Sequence, residues 1–337
     1  MPSTPDAELP LIDIAPLCGD RAPPQRAQAM EALLGALSTV GFAVLRGHGV
    51  APEVTARMRA AVAATFAAPR ELYAGLTVQK GNYRGYVPLG YFTPNSGVGD
   101  VDYYEAWKLH HETDPKDPVC LQSPLYGPNR WPPVGPDTAT GRVVDIRAAV
   151  LAYWSEMDRV NACVLTALCE GLGLDATMVL DMLRQPLTNM TLLNYPGASP
   201  KDAWGIHPHK DFNFLTFLSH DPVGGLEVRR LDGTWLDAHC PPDALVLNVG
   251  DMLELLSGGR LVSTPHRVVN RSGRQRMSFP YFSVPRHDVR VQPLLPPVPG
   301  FVREPLLAGA ASANIWTSNW PDEKSALAAQ DLGDYGG

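Results

Sequence analysis

The sequence predicts a mainly β fold with flanking helices (α+β): an antiparallel sandwich or barrel in the second half, its expected closed form a jelly roll, buttressed by a helical N-terminal half. Three observations carry this. After Asn189, strand-like runs recur at regular spacing with turn signals between them. Roughly the first 75 residues alternate short apolar runs with helically spaced ones. Between these regions, the stretch from Val143 to Leu174 reads as one long helix.

In order, LPLIDIAPL reads as a strand, QRAQAMEALLGALSTV as a helix, GFAVLRGHGV as a strand and PEVTARMRAAVAATFAA as a helix. From about Lys80 to Pro136 the chain is rich in Gly, Pro, Asn and aromatics, so it should be mostly irregular, with a strand near YYEAWKLH. A structured loop of that length is usually functional. The long helix ends at a glycine stop signal, and ATMVLDMLRQ makes a shorter one. MTLLNYP, FNFLTFLSH, GGLEVRRLDGTWLDAH, ALVLNVGDMLELL, RLVSTPHRVVNR and RQRMSFPYFSVP then read as strands, with a tight hairpin turn at Asp232-Gly233. The division is residues 1–185, an α/β region with a substrate-facing loop, and 186–337, the jelly-roll core and tail, with no linker between them.

Of 337 residues, 45% are hydrophobic and 19% charged, ordinary globular values that exclude disordered and fibrous classes. The net charge of −7 and the lack of a basic run argue against nucleic acid as a partner. No apolar stretch is long enough to span a bilayer and no secretory leader is evident, so no membrane partner and a cytoplasmic location are expected, as a monomer or weak homodimer. Five scattered cysteines without a CxxC pair read as small core hydrophobes in a reducing compartment.

The chemistry concentrates in HPHKDFNFLTFL, residues 207–218. In a strand, i and i+2 share a face, so His209 and Asp211 project together with Lys210 turned away. His207 has the same parity. Pro208 and Gly205 place it instead in the entering loop, near the pocket mouth. A third ligand is offered by His266 in VSTPHRVVN. Two imidazoles and one carboxylate on one face of a metal leave its other positions open, which suits non-haem Fe(II) handling oxygen. Arg276 and Ser278 in RQRMSFPYF again stand at i and i+2 and would hold an anionic ligand, with Tyr195 adding a phenol from a neighbouring strand.

Taken in order, LPLIDIAPL, GFAVLRGHGV, RGYVPLG, LLNYP, HKDFNFLTFL, VGGLEV, DGTW, ALVLNVGDMLELLSGG, HRVVN and RMS resemble the isopenicillin N synthase-like branch of the Fe(II)/2-oxoglutarate-dependent dioxygenases, over nearly the whole chain. The resemblance implies a double-stranded β-helix with His209, Asp211 and His266 as iron ligands. It implies that Arg276 and Ser278, assisted by Tyr195, grip the far carboxylate of 2-oxoglutarate, with O2 as the other co-substrate and ascorbate as a reductant. The reaction it implies is hydroxylation, desaturation or cyclisation of a small molecule, with 2-oxoglutarate decarboxylated to succinate and CO2. One departure is Leu193, which stands where many plant members carry the asparagine of an NYYP-like run.

Two rivals differ in class. One is an oxidase like isopenicillin N synthase, in which the Arg-Ser pair binds substrate and 2-oxoglutarate is not used. The other is a catalytically silent binding protein of the same fold, which a missing ligand would favour; none is missing. The expected substrate lining is Arg84, Tyr86, Tyr91, Trp107, Lys108, Phe214 and Phe282, with Trp316 and Trp320 from the tail. Arg84 and Lys108 point to an anionic substrate and the aromatics to an apolar body, against the plain alternatives of surface charge and core packing.

Overall fold

Residues 8–19, 23–92, 101–133, 143–197, 204–219 and 221–318 are described in the computed structural model. The chain runs β1 (Leu11–Asp13), α1 (Pro23–Thr39), β2 (Phe42–Arg46), α2 (Pro52–Ala67), β3 (Gly85–Val87), β4 (Glu105–His110), α3 (Val119–Gln122), α4 (Ile146–Leu172), α5 (Ala176–Asp181) and β5 (Asn189–Tyr195). It continues through β6 (Ile206–His209), β7 (Leu215–Ser219), β8 (Leu226–Arg229), β9 (Trp235–Asp237), β10 (Leu245–Val249), α6 (Asp251–Leu256), β11 (His266–Val268), β12 (Arg276–Ser278), β13 (Tyr281–Ser283), β14 (Arg290–Val291), β15 (Leu306–Leu307) and α7 (Ala308–Ser318).

The large sheet has the order β1-β2-β10-β7-β13-β5-β4-β3, with β12 also on β5, and the small one β6-β11-β8-β9. Strand alternation divides the interior in two. Ala43, Leu45, Trp107, Leu109, Leu192 and Leu247 pack with α1, α2 and α4, whereas their neighbours Phe42, Val44, Ala106, Leu193 and Val246 face inward and meet Leu226, Val228 and Val268 of the small sheet. This is the expected jelly roll, with helices covering the outer face of its large sheet.

Helix α4 forms where its apolar stripe demands: Val150, Tyr153, Met157, Val160 and Val164 are all buried. Asp145 caps its start by accepting from the Ala148 amide, and Gly173, at φ 71°, closes its end. Trp107 is fully enclosed, with its Nε1 donating to the Arg130 carbonyl at 2.7 Å and its ring edge-on to Tyr73.

Several expectations are corrected. ALVLNVGDMLELL is a strand only to Val249; after Gly250 it turns into α6, whose residues Met252, Leu253, Leu255 and Leu256 are buried. HPHKDFNFLTFL is two strands, not one: β6 ends at His209, β7 starts at Leu215, and Asp211 lies in the link between them. Phe212 in this link is half-buried, and the fully buried apolar run starts at Phe214. His207 belongs to β6 and is buried, not at a loop mouth. The cysteines are not all free. Cys18 and Cys163 form a disulfide with Cα atoms 5.4 Å apart, a pairing hidden from sequence by the 145 residues between them. Cys120, Cys169 and Cys240 are free. Among the described residues no helix is long and apolar enough to cross a membrane.

Replacing Trp107 by Ala should lower unfolding free energy by about 3–5 kcal/mol, because it empties a closed site and strands the Arg130 carbonyl. Urea denaturation measures this, and a loss below about 1 kcal/mol would contradict the placement.

Candidate metal centre and adjoining cavity

β6 and β11 lie side by side with His209 opposite His266 in the register, so strand pairing alone brings the two imidazoles together, ring centroids 4.3 Å apart. Each ring is aimed by its other nitrogen. His209 Nδ1 donates to the His207 carbonyl at 2.8 Å and His266 Nδ1 to the Thr264 carbonyl at 3.2 Å. A carbonyl can only accept, so Nδ1 carries the proton and Nε2 keeps its lone pair.

Asp211 completes the set. Its Oδ2 accepts from Thr216 Oγ1 at 2.6 Å and Asn248 Nδ2 at 2.8 Å. The other oxygen, Oδ1, stands 3.7 Å from His209 Nε2 and 3.6 Å from His266 Nε2. One atom from each residue lies within 4.8 Å of the others. Ligand atoms roughly 2.1 Å from a shared ion stand about 3–3.5 Å apart, so the donors fit a divalent cation held on one face. Burial works against the Asp211 charge, but the imidazoles and the two hydrogen bonds outweigh it and hold its pKa below the usual carboxylate range. Burial pushes His266 down to about 4, against the pull of Asp211, which keeps it in the neutral form that binds metal.

Across the interior, β12 sets Arg276 opposite Tyr195 and Ser278 opposite Leu193 on β5. Arg276 is 1% exposed. Its Nε donates to the Gly224 carbonyl at 2.7 Å, its guanidinium lies 4.7 Å from the Tyr195 ring centre, and Nη1 lies 3.4 Å from Ser278 Oγ. No carboxylate among the described residues pairs with it. A buried guanidinium without an anion is costly, and here its outer nitrogens group with a hydroxyl and a phenol, a donor set suited to a carboxylate. Burial raises the Tyr195 phenol, which stays protonated.

A cavity of about 240 Å³ adjoins the metal-type cluster. His209 and Asp211 form part of its wall, facing Lys108, Thr191, Phe212, Phe282 and Trp316. Burial lowers the Lys108 ammonium to about 8, partly offset by Asp102 and Asp211.

Of the residues expected to line a substrate pocket, Lys108 and Phe282 are on this wall. Trp107 and Phe214 are not, because both point into the helical side of the core. Tyr86 lies on that side too, its hydroxyl donating to Glu105 Oε2 at 2.8 Å. Arg84 is buried elsewhere, donating to the Leu125 carbonyl at 2.6 Å, and Tyr91 packs edge-on to Phe92 off the wall. Trp320 lies outside the described residues. His110 is buried with its Nε2 3.0 Å from the Tyr83 carbonyl, and burial lowers its pKa.

Sequence reasoning missed Thr216 and Asn248, which face each other in the β7–β10 register. A signal existed: each is a single polar residue inside a buried strand, in FLTFL and LVLNV. It also missed Asp102, whose Oδ1 accepts from the His207 amide at 2.9 Å and from His207 Nδ1 at 2.7 Å. Asp102 lies outside any strand and carried no such signal.

Residues 187–285 match the 2OG-Fe(II) oxygenase superfamily and residues 9–134 the non-haem dioxygenase in morphine synthesis N-terminal region. The chain is 30% identical to the 2-oxoglutarate-dependent dioxygenase thnC of Trichoderma harzianum over 82% of its length and 84% of the relative's. It is 31% identical to the 2-oxoglutarate-dependent dioxygenase traH of Penicillium crustosum over 82% and 84%. Its fold resembles that of a full-length Neurospora crassa protein crystallised in complex with alpha-KG and thymine, with a TM-score of 0.78, 22% identity, and 94% and 99% of the two chains covered. With its family segments in order and its relatives matched over most of their length, the chain belongs to the 2OG-Fe(II) oxygenase superfamily and is a non-haem Fe(II)- and 2-oxoglutarate-dependent dioxygenase.

Proposed function

We propose that this dioxygenase oxidises a small molecule in the cavity beside His209, Asp211 and His266, with these three holding the iron and with Arg276, Ser278 and Tyr195 holding 2-oxoglutarate. The observation that carries the reading is the pairing of an open three-donor cluster with a buried guanidinium that no acid among the described residues neutralises. The chemistry Fe(II) and 2-oxoglutarate supply at such a centre is oxygen activation coupled to decarboxylation of the co-substrate to succinate and CO2. The protein's share is orientation. The two carbonyls fix the imidazole tautomers, Thr216 and Asn248 hold one carboxylate oxygen so that the other is presented, and Arg276 fixes the far end of the co-substrate. Phe212, Phe282 and Trp316 limit water around the reacting carbon. That the curated relatives are named for 2-oxoglutarate supports this reading over an oxidase that dispenses with it. The Neurospora crassa protein, which shares the fold, forms a complex with thymine, a small molecule, and this supports a small substrate here.

The test is formation of succinate from 2-oxoglutarate that depends on added Fe(II). Arg276→Ala should raise the KM for 2-oxoglutarate about 10- to 100-fold, the worth of one or two charge-assisted bonds, with a smaller effect on kcat. An unchanged KM would remove Arg276 from the co-substrate site. Asn248→Leu leaves all three proposed ligands in place but removes one of the two hydrogen bonds that hold Asp211 Oδ2. It should weaken Fe(II) affinity about tenfold or more in a chelator competition, and wild-type affinity would contradict the positioning role.

A further inference from the structure

The inner face of the large sheet carries a second cation that no acid among the described residues neutralises. Lys108 stands opposite Thr191 in the β4–β5 register; its Nζ lies 3.2 Å from Thr191 Oγ1 and 5.4 Å from the centre of the Tyr83 ring. No carboxylate among the described residues is within ion-pair distance of it. The two nearest acids are engaged elsewhere: Asp102 by His207, and Asp211 by Thr216, Asn248 and the imidazoles. A half-buried ammonium that faces a cavity without a carboxylate partner is stabilised by an external anion.

This cation is separate from the one at Arg276. Thr191 and Tyr195 are four residues apart on β5, about 13 Å along an extended strand, and Leu193 stands between them on the same face. The two cations are therefore carried at different places along β5.

The same cavity wall carries an unfilled hydrogen-bonding nitrogen. His207 is 2% exposed and lines the same cavity. Its Nδ1 meets Asp102 Oδ1, and its Nε2 is enclosed and has no hydrogen-bond partner among the described residues. The rest of the wall mixes polar side chains such as Asn189 and Ser312 with an apolar patch that includes Phe212, Phe282 and Trp316. At about 240 Å³ the space is smaller than the roughly 300–1,000 Å³ of pockets for drug-sized ligands.

We propose that the substrate is a small carboxylic acid whose carboxylate is bound by Lys108, whose amino or hydroxyl group hydrogen-bonds to His207 Nε2, and whose apolar body lies against Phe212, Phe282 and Trp316. The inference rests on the reading that 2-oxoglutarate occupies the Arg276 position. Lys108 then sets specificity, admitting acids and rejecting their neutral isosteres, which leave the ammonium without a counter-charge.

The test loads the full-length protein with Fe(II) and 2-oxoglutarate under argon and exposes it to a mixture of small aromatic and aliphatic acids, with and without an amino or hydroxyl group, each paired with its methyl ester. Ultrafiltration and mass spectrometry read what is retained, including 2-oxoglutarate. The expected result is retention of one or more acids at least about tenfold over their esters, lost in Lys108→Met and largely kept in Lys108→Arg, while Lys108→Met still retains 2-oxoglutarate. Among retained acids, those with an amino or hydroxyl group should exceed those without, and His207→Leu should abolish that margin. Equal retention of esters, undiminished retention of acids by Lys108→Met, or retention of no acid by an enzyme that does retain 2-oxoglutarate would overturn the proposal. Failure of the wild type to retain 2-oxoglutarate would overturn the underlying reading, and this one with it.

Discussion

The pairing of β4 with β5 is the constraint on which the rest of the structure depends. Six consecutive register pairs, from Glu105–Asn194 to His110–Asn189, fix the parity of both strands. A shift by one residue would exchange every side chain between the two faces. In the observed register Trp107, Leu109 and Leu192 enter the helical core, while Lys108, Thr191, Leu193 and Tyr195 enter the interior. The parity is held from the side by Glu105, which accepts from Arg70, Tyr86 and Asn194 at 2.6–2.8 Å. Tyr86, which resembled a substrate residue in the sequence, belongs to this bracing.

The polar groups of the interior follow one rule: each charge is either satisfied in pairs by the chain or left open toward a ligand. Asp211 has one oxygen bonded twice and one presented. Each histidine of the cluster has one nitrogen on a carbonyl and one free. Arg276 commits Nε to a carbonyl and turns its outer nitrogens to Ser278 and Tyr195 rather than to an acid. Groups left half satisfied by the fold are costly until a ligand arrives, so binding energy is concentrated where the ligands must sit.

Much of this was legible in the sequence. The strand-rich second half, the long α4 with its glycine stop, the His209, Asp211 and His266 set and the Arg276-Ser278 pair all follow from local pattern and from the order of motifs. What escaped was set by three-dimensional parity and long-range contact. Asp211 reaches the cluster from a loop rather than from a strand shared with His209, because β6 ends before it and Thr216 and Asn248 draw it inward. The direction taken by Trp107 against Lys108 required knowing which face of β4 met the helices. The DMLELL helix escaped because a short, largely apolar run has no period to distinguish helix from strand. Pairing of Cys18 with Cys163 depended on α4 passing close to the segment after β1, which no local feature encodes.

The central claim is that the three-donor cluster and the Arg276 grip together hold one iron and one 2-oxoglutarate. Its most direct measurement is the visible spectrum of the protein with Fe(II) under argon as 2-oxoglutarate is added. The account predicts a metal-to-ligand charge-transfer band that saturates with 2-oxoglutarate in the wild type, is absent in Asp211→Ala, and needs far more co-substrate in Arg276→Ala. A wild type that binds Fe(II) but develops no band, or an Asp211→Ala variant that develops it unchanged, would contradict it.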